Sequence, residues 1–336
     1  MIAVAFQFFL LAVALISLPI YIIFLYVLIK YRKCEDIKSS YFQLCFALGV
    51  ADCYVLVHSH LAQKAAYWGI WREEFFLKYQ EVGFVPGYLA WAMRAMTFAQ
   101  FNGVLLLATN RFTAICLPFC HAKLWSTKIM AVVIFLQFAI PAVIVLPYFW
   151  LVVCRPIDSV SVSISFTDRS WHRFYYFFGA IYMAVICFLC VLMYAAMLVQ
   201  ARLWRSKVID SRQERRKRRM ELKLALSAFA IFIPAFAYSC VMYNASTTAD
   251  YDRLFISWSA ASDVFAYTNV YVLLAISPSV RCKFLHTTGL YAGELECDSR
   301  RREHISTFEC SPKLSVNYSQ RLPTLALCDE LMSTAV

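Results

Sequence analysis

Seven long apolar runs leave this chain few ways to fold. The sequence is 61% hydrophobic and 16% charged over 336 residues, far more apolar than one soluble core of this length needs. A helix of about 20 residues crosses ~30 Å of hydrocarbon, and lipid leaves room only for helices or closed barrels. Because the runs show no period-two alternation, we predict an all-α membrane protein, a seven-transmembrane helix bundle over residues 1–278. The predicted spans are 4–29, 40–62, 85–110, 128–152, 173–199, 221–243 and 254–277.

The positive charges of the loops predict the orientation of the bundle. Lys and Arg accumulate in loops that stay in the cytoplasm. With the N-terminus outside, the three inner loops carry four, three and ten of these residues, and the tail carries seven, out of 32 in the chain. We therefore expect the N-terminus outside and the C-terminus in the cytosol. Residues 279–336 are polar and mixed in composition, and we expect a disordered cytosolic tail there.

Four charged residues within or at the end of the predicted spans are worth naming: Asp52, Arg94, Arg111 and Asp263. A charge in hydrocarbon is costly, so each one is a functional hypothesis, with structural pairing as the alternative. The rise of a helix per residue puts Asp52 near the middle of its span, with Asn269 as the best candidate neighbour. A protonated, hydrogen-bonded carboxyl at Asp52 is the other reading.

Arg94 and Asp263 lie at matching heights in the third and seventh spans, which predicts an ion pair at the floor of an outer cavity. Aromatic and polar residues at similar heights suggest a pocket for a small ligand. The alternatives are an interfacial belt of Trp and Tyr and, for Arg94, an anionic ligand or lipid headgroups. The predicted pocket residues are His58, Tyr88, Trp91, Arg94, Trp258, Asp263 and Tyr267.

The third predicted span ends in Asn110, Arg111 and Phe112, followed by Pro118 and Trp125. An Arg at this boundary is either a switch facing an aqueous cleft or an interfacial anchor. The segment resembles the third-span exit of nematode serpentine chemoreceptors of the gamma superfamily, the srg-like and srv-like families. More loosely, it resembles the Asp-Arg-Tyr box of rhodopsin-like receptors, which implies a role for Arg111 in switching and in contact with a G protein.

This resemblance implies a G-protein-coupled chemosensory receptor. Its expected partners are a small external ligand of odorant or pheromone type, a heterotrimeric G protein and membrane lipids. The expected location is the plasma membrane of sensory cilia, crossed several times. An odorant-gated channel or a small-molecule carrier remains the alternative; an insect-type odorant channel would place its N-terminus in the cytosol.

The resemblance also bears on the polar residues of the second, sixth and seventh spans. In rhodopsin-like receptors an Asp placed like Asp52 holds a sodium ion with polar groups of the seventh span. The seventh span here reads Asn269-Val270-Tyr271 and delays its proline to Pro278, whereas rhodopsin-like receptors carry Asn-Pro-x-x-Tyr. Pro234 in the sixth span would allow a hinge.

The third inner loop contains a basic run that includes Arg215 and Arg216. It indicates cytoplasmic topology with attraction to anionic lipid, or docking of an acidic partner such as a G protein. Nucleic-acid binding does not suit a chain embedded in a membrane. Asn244 begins a glycosylation sequon in the last outer loop, and Cys282, beside basic residues, is a candidate for palmitoylation.

We find no sequence signature of an enzyme, a metal site or a cofactor. There is no nucleophile–base pair, phosphate-binding glycine loop or Cys/His metal spacing. Most of the 13 cysteines lie in apolar runs or on the predicted cytosolic side. Cys154 is the clearest candidate on the oxidising side, and the sequence offers it no evident partner.

Overall fold

The computed structural model describes residues 2–34, 37–206, 212–247 and 251–290. Helices dominate this part of the chain, with one β-hairpin inserted after the fourth long helix. The helices are α1 Ile2–Lys30, α2 Ser40–His58, α3 Ala65–Tyr67, α4 Phe84–Cys116, α5 Pro118–Leu124, α6 Thr127–Ile144, α7 Tyr148–Leu151, α8 Arg169–Ser206, α9 Arg212–Thr247, α10 Tyr251–Ile276 and α11 Pro278–Thr287.

Seven of these helices, α1, α2, α4, α6, α8, α9 and α10, form the bundle. Among the described residues, six helical segments are long and apolar enough to cross a membrane. The seventh bundle helix, α4, is less apolar but lies at the centre, where it packs against α2, α6, α8 and α9. A helix surrounded by protein can carry polar groups that a lipid-facing helix cannot. The predicted seven-transmembrane bundle is confirmed.

Aromatic side chains fill the centre of the bundle. Phe101 of α4 is fully buried and packs against Tyr238 of α9 and Phe265 of α10. Most large apolar side chains on the outer faces are exposed, as in Phe135 and Phe188. Such faces are stable only against lipid, since a protein in water rarely exposes so much apolar surface.

The second span is longer than predicted because α2 continues without a break. A π-helical turn, Ser59–Lys64, joins it to α3, so the span runs from Ser40 to Tyr67. A π-turn inserts one extra residue into the helix and changes the direction of the side chains that follow. Lys64, two residues beyond the predicted end of this span, points into the bundle and is fully buried.

The fourth span is shorter than predicted. Its helix α6 ends at Ile144, and a turn, α7 and the strand β1, Val152–Pro156, follow. β1 pairs antiparallel with β2, Val162–Phe166, in the register Cys154 opposite Ile164. The hairpin was not expected, since its first strand begins where the predicted span ended.

The hairpin covers one end of the bundle, which we call the hairpin end. At its turn, the backbone N–H groups of Ser161 and Val160 each donate to Asp158 at 2.6 Å and lower the pKa of that carboxyl. Cys154 is a buried free thiol, and burial raises its pKa to about 11. A thiol of this kind is a poor nucleophile at neutral pH.

The opposite end, which we call the α11 end, carries two short helices. α4 stops at Cys116, and α5 begins directly at Pro118, because proline suits the first turn of a helix but not its interior. The predicted tail begins as a helix rather than a disordered segment: α11 packs against α1, with the Lys283 ammonium over the Tyr31 ring at 5.4 Å. The rest of that tail, beyond residue 290, lies outside the described residues.

Candidate functional site

A small cavity of about 60 Å³ lies under the hairpin, between α4, α8 and α10. Polar side chains from several elements share this cavity with apolar side chains from the hairpin and α10. The polar lining consists of Gln63, Arg94, Tyr148, Ser165, His172 and Tyr176. The apolar lining includes Val152, Val162, Phe166, Phe255 and Trp258.

Arg94 of α4 occupies the wall of this cavity. Its side chain is 9% exposed, and the guanidinium carbon lies 4.7 Å from the centre of the Tyr176 ring. Its Nη1 lies 3.6 Å from the sulfur of Met242. Both partners are uncharged, and they lie on α9 and α8.

The predicted ion pair between Arg94 and Asp263 is wrong. Asp263 of α10 instead accepts a hydrogen bond from Lys64 Nζ at 2.5 Å, and both side chains are at most 1% exposed. His60 lies beside them, with its Nε2 3.0 Å from Lys64 Nζ and its Nδ1 2.8 Å from the Leu56 carbonyl. Equal heights on two helices did not imply equal directions, because Asp263 points toward α2.

The other predicted pocket residues divide between several places. Trp258 lines the cavity and donates from Nε1 to Tyr238 Oη at 2.7 Å. Trp91 donates to the Ala142 carbonyl at 2.8 Å and thus faces α6. Tyr267 Oη lies 3.5 Å from the Leu10 carbonyl on α1.

His58 borders a second, more apolar groove between α2, α4 and the segment that joins them. His58 Nε2 lies 2.8 Å from the Leu89 carbonyl, and its ring lines the groove, which has a volume of about 480 Å³. Tyr54 also lines it, and its hydroxyl is 3.3 Å from that of Tyr88. The predicted single pocket is therefore split: Arg94 and Trp258 line the cavity under the hairpin, and His58 lines this groove.

In the middle of the bundle, the structure brings Asp52 and Asn269 together. Asn269 Nδ2 donates to Asp52 Oδ2 at 3.2 Å, and Gln100 Nε2 donates to Asp52 Oδ1 at 2.7 Å. The Tyr21 hydroxyl also donates to Asp52. Four helices, α1, α2, α4 and α10, thus meet at one carboxyl that is 1% exposed. Gln100 and Tyr21 were not identified from the sequence.

At the α11 end, Arg111 is 3% exposed and bonded to its neighbours on α4 and α2. Its Nη2 and Nε donate to Asn110 Oδ1 at 2.5 and 3.2 Å, and its guanidinium lies 4.4 Å from the centre of the Tyr41 ring. Asn110 Nδ2 donates in turn to Ser40 Oγ at 2.7 Å. The Tyr41 hydroxyl lies 2.6 Å from Ser227 Oγ on α9, which extends this chain of contacts to a third helix.

This chain of contacts connects α4, α2 and α9 through Arg111. The sequence identified Asn110 and Arg111 but missed Tyr41 and Ser227. Little in the sequence indicates these two residues, because an aromatic residue and a serine are common near the end of a span. Phe112, the third residue of the predicted switch, is half-buried and packs against the core.

The α5 segment is fastened to α4 beside this cluster. Trp125 Nε1 donates to Thr113 Oγ1 at 2.8 Å, and His121 Nδ1 lies 3.0 Å from the same oxygen. Burial, followed by the nearby Arg111 charge, lowers the pKa of His121. At neutral pH His121 is therefore neutral, and the hydrogen bond from Trp125 fastens the end of α5 to α4.

Three further predicted sites lie on helices. Arg215 and Arg216 fall in the first turns of α9, which extends the sixth span by a basic segment; their side chains lie outside the described part of the structure. Asn244 is exposed near the last residues of α9, at the hairpin end. Cys282 is a half-buried free thiol on α11.

Comparison with known proteins assigns the fold to a receptor family. Residues 9–290 match the family described as serpentine type 7TM GPCR chemoreceptor Srv. The chain is also similar to serpentine receptor class V-1 of Caenorhabditis elegans, with 28% identity over 287 residues, 84% of this chain and 89% of the relative. The expected nematode serpentine receptor is confirmed, and the chain belongs to the Srv family of serpentine seven-transmembrane G-protein-coupled chemoreceptors.

Proposed function

We propose that this protein binds a small external ligand at the hairpin end and signals through a heterotrimeric G protein at the α11 end. The hairpin end, with the N-terminus, would face outside, and the α11 end would face the cytosol of a sensory cell. The charges of the loops support this orientation, since most Lys and Arg residues fall in segments at the α11 end. The plasma membrane of sensory cilia is the location that suits such a receptor.

The connection from Arg111 through Tyr41 to Ser227 is the observation that carries this proposal. A receptor needs two arrangements of its helices whose balance a ligand can change. The contacts from Arg111 to Ser227 join α4 and α2 to α9, and α9 contains Pro234 within its helix. Loss of a backbone hydrogen bond at proline allows a helix to bend there. Movement of α9 would separate Ser227 from Tyr41 and change the surroundings of Arg111.

Substitution of Arg111 tests the proposal. A screen of volatile and secreted small molecules in cells that express the parent receptor identifies an agonist. Energy transfer between Gα and Gβγ then measures activation. We expect Arg111→Ala to reduce the agonist response roughly tenfold or more at equal surface level, as typical coupling energies imply. Arg32→Ala is the matched control, because Arg32 is an exposed cation in a loop at the same end.

Tyr41→Phe separates the coupling role of this cluster from an anchoring role. The phenyl ring keeps its place over Arg111 but loses the hydrogen bond to Ser227. We expect higher activation without agonist in Tyr41→Phe, because one restraint on α9 is removed. If Arg111→Ala and Tyr41→Phe both signal like the parent at equal surface level, Arg111 is a boundary anchor and the proposed coupling is wrong.

A further inference from the structure

The cavity under the hairpin combines a buried cation with a lining that lacks acids. None of the described acidic residues near this end lines the cavity: Asp263 binds Lys64, Asp158 caps the hairpin turn, Asp168 binds Ser170, and the cavity lining includes none of Glu73, Glu74 and Glu81. Within the described part of the chain, the side chains that surround Arg94 in the cavity are neutral or apolar.

Arg94 has donor capacity that its neighbours do not use. A guanidinium carries five N–H donors in a planar fork, and the partners that Arg94 has among the described residues are uncharged: the weak acceptor sulfur of Met242 and the side chain of Tyr176. The Tyr176 ring offers a cation–π contact, but the ring carries no net negative charge. That contact does not offset the cost of a buried charge without a counter-ion. A carboxylate would do so, because it binds the fork with two parallel hydrogen bonds.

The remaining polar lining also favours an anion. Hydroxyl groups of Tyr148, Tyr176 and Ser165 and the amide of Gln63 can donate hydrogen bonds. One positive charge surrounded by neutral hydrogen-bond donors is suited to a ligand group that carries a single negative charge. The small volume, about 60 Å³, suits the head of a ligand, and the apolar side chains of the hairpin and α10 would meet an aliphatic body.

We propose that the cavity under the hairpin binds the carboxylate group of a small aliphatic acid, with Arg94 as its counter-ion. This inference rests on the proposed receptor function and names the chemical class of its ligand. Arg94 would bind the carboxylate directly, and Tyr176 would hold the guanidinium in place.

Binding by the full-length receptor in lipid nanodiscs tests this inference without signalling. The probes are straight-chain carboxylates of four to ten carbons and, for each, the methyl ester of the same chain. A ligand that binds the folded state raises the midpoint of thermal unfolding with concentration. We expect at least one carboxylate to stabilise the parent at neutral pH, whereas its ester has no such effect.

Variants assign the binding to Arg94. For Arg94→Gln we expect affinity for that carboxylate to fall about 30-fold or more, as for removal of one partner of a buried charge pair. Arg94→Lys keeps the charge without the fork, and we expect an intermediate loss. Arg173→Gln, which removes an exposed cation from α8, is the control and should bind like the parent. If Arg94→Gln does not fold, two results decide: the difference in stabilisation between acid and ester, and the loss of carboxylate affinity in Arg94→Lys.

The inference is wrong if no carboxylate stabilises the parent, if the esters do so equally, or if both Arg94 variants bind like the parent. Its failure is distinct from failure of the proposed function. A response of the G protein to neutral ligands alone would overturn the carboxylate site and leave the receptor function intact. Carboxylate binding at Arg94 that never activates a G protein would support the carboxylate site and overturn the proposed receptor function.

Discussion

Several buried charged side chains in this bundle are stabilised by a partner on the face to which they point. Lys64, in the π-helical turn after α2, binds Asp263 of α10. Asp52 accepts three hydrogen bonds, and Arg111 donates to Asn110. Removal of one member of a buried ion pair leaves a charge without compensation, which costs more than loss of both members.

For the pair of Lys64 and Asp263, we therefore expect a stability that depends on matched charge. Lys64→Met and Asp263→Asn should each lower the free energy of unfolding by about 3–5 kcal/mol, and the double variant should lose less than either. Thermal unfolding of the purified full chain measures the differences. As a control, Glu73→Gln breaks an ion pair in which Glu73 is 69% exposed, and it should change stability little. A double variant whose loss of stability equals the sum of the two single losses would show that the two residues are not energetically coupled.

At this scale, a contact was predicted correctly where the height of two residues along the bundle was sufficient. It was predicted wrongly where the direction of the side chains also mattered. Asp52 and Asn269 both lie near mid-bundle, where little space separates any two inward-facing groups, and they meet. Arg94 and Asp263 share a height but point to different neighbours. The spacing of His60 and Lys64, four residues apart, was the available signal for the true partner of Asp263, because residues so spaced share one helix face.

At the scale of elements, the packing of α4 against α7 depends on Gly87. A Cβ atom at Gly87 would lie 2.6 Å from the Cα of Phe149, a distance that forces the backbone to move. Glycine thus allows α4 to approach the segment that leads into the hairpin.

We expect Gly87→Ala to destabilise the hairpin end. Overpacking of this kind costs typically about 1–3 kcal/mol, and the thermal unfolding midpoint of the full chain should fall accordingly. Gly83→Ala is the matched control, since its added Cβ would have no neighbour closer than 4.0 Å. Equal stability of Gly87→Ala and the parent would mean that α7 is free to move away from α4.

The long helices were predictable because apolar length alone specifies a membrane span, but their ends were not. The π-turn after α2 has no sequence signature of its own and carried the helix past the predicted boundary at residue 62. The hairpin was hidden because Val152 to Cys154 continues the apolar run of α6. Only the pairing of β1 with β2 distinguishes this strand from the last turn of a helix.

At the scale of the whole molecule, the two candidate sites lie at opposite ends of the same central helix. Arg94 and Arg111 are both on α4, 17 residues apart in the sequence, or about 25 Å along a helix. Between them, Gln100 joins α4 to the Asp52 network, which also includes α1 and α10. A ligand at one end could therefore shift the balance between two arrangements of the helices that the other end senses.

Topology tests this account most directly, because a receptor requires its ligand cavity and its G-protein site on opposite sides of the membrane. An epitope at each terminus, detected by antibody in intact and in permeabilised cells, measures it. We predict that the N-terminal epitope is stained in intact cells and the C-terminal epitope only after permeabilisation. An N-terminal epitope that is accessible only after permeabilisation would contradict the account and favour an inverted, channel-like arrangement.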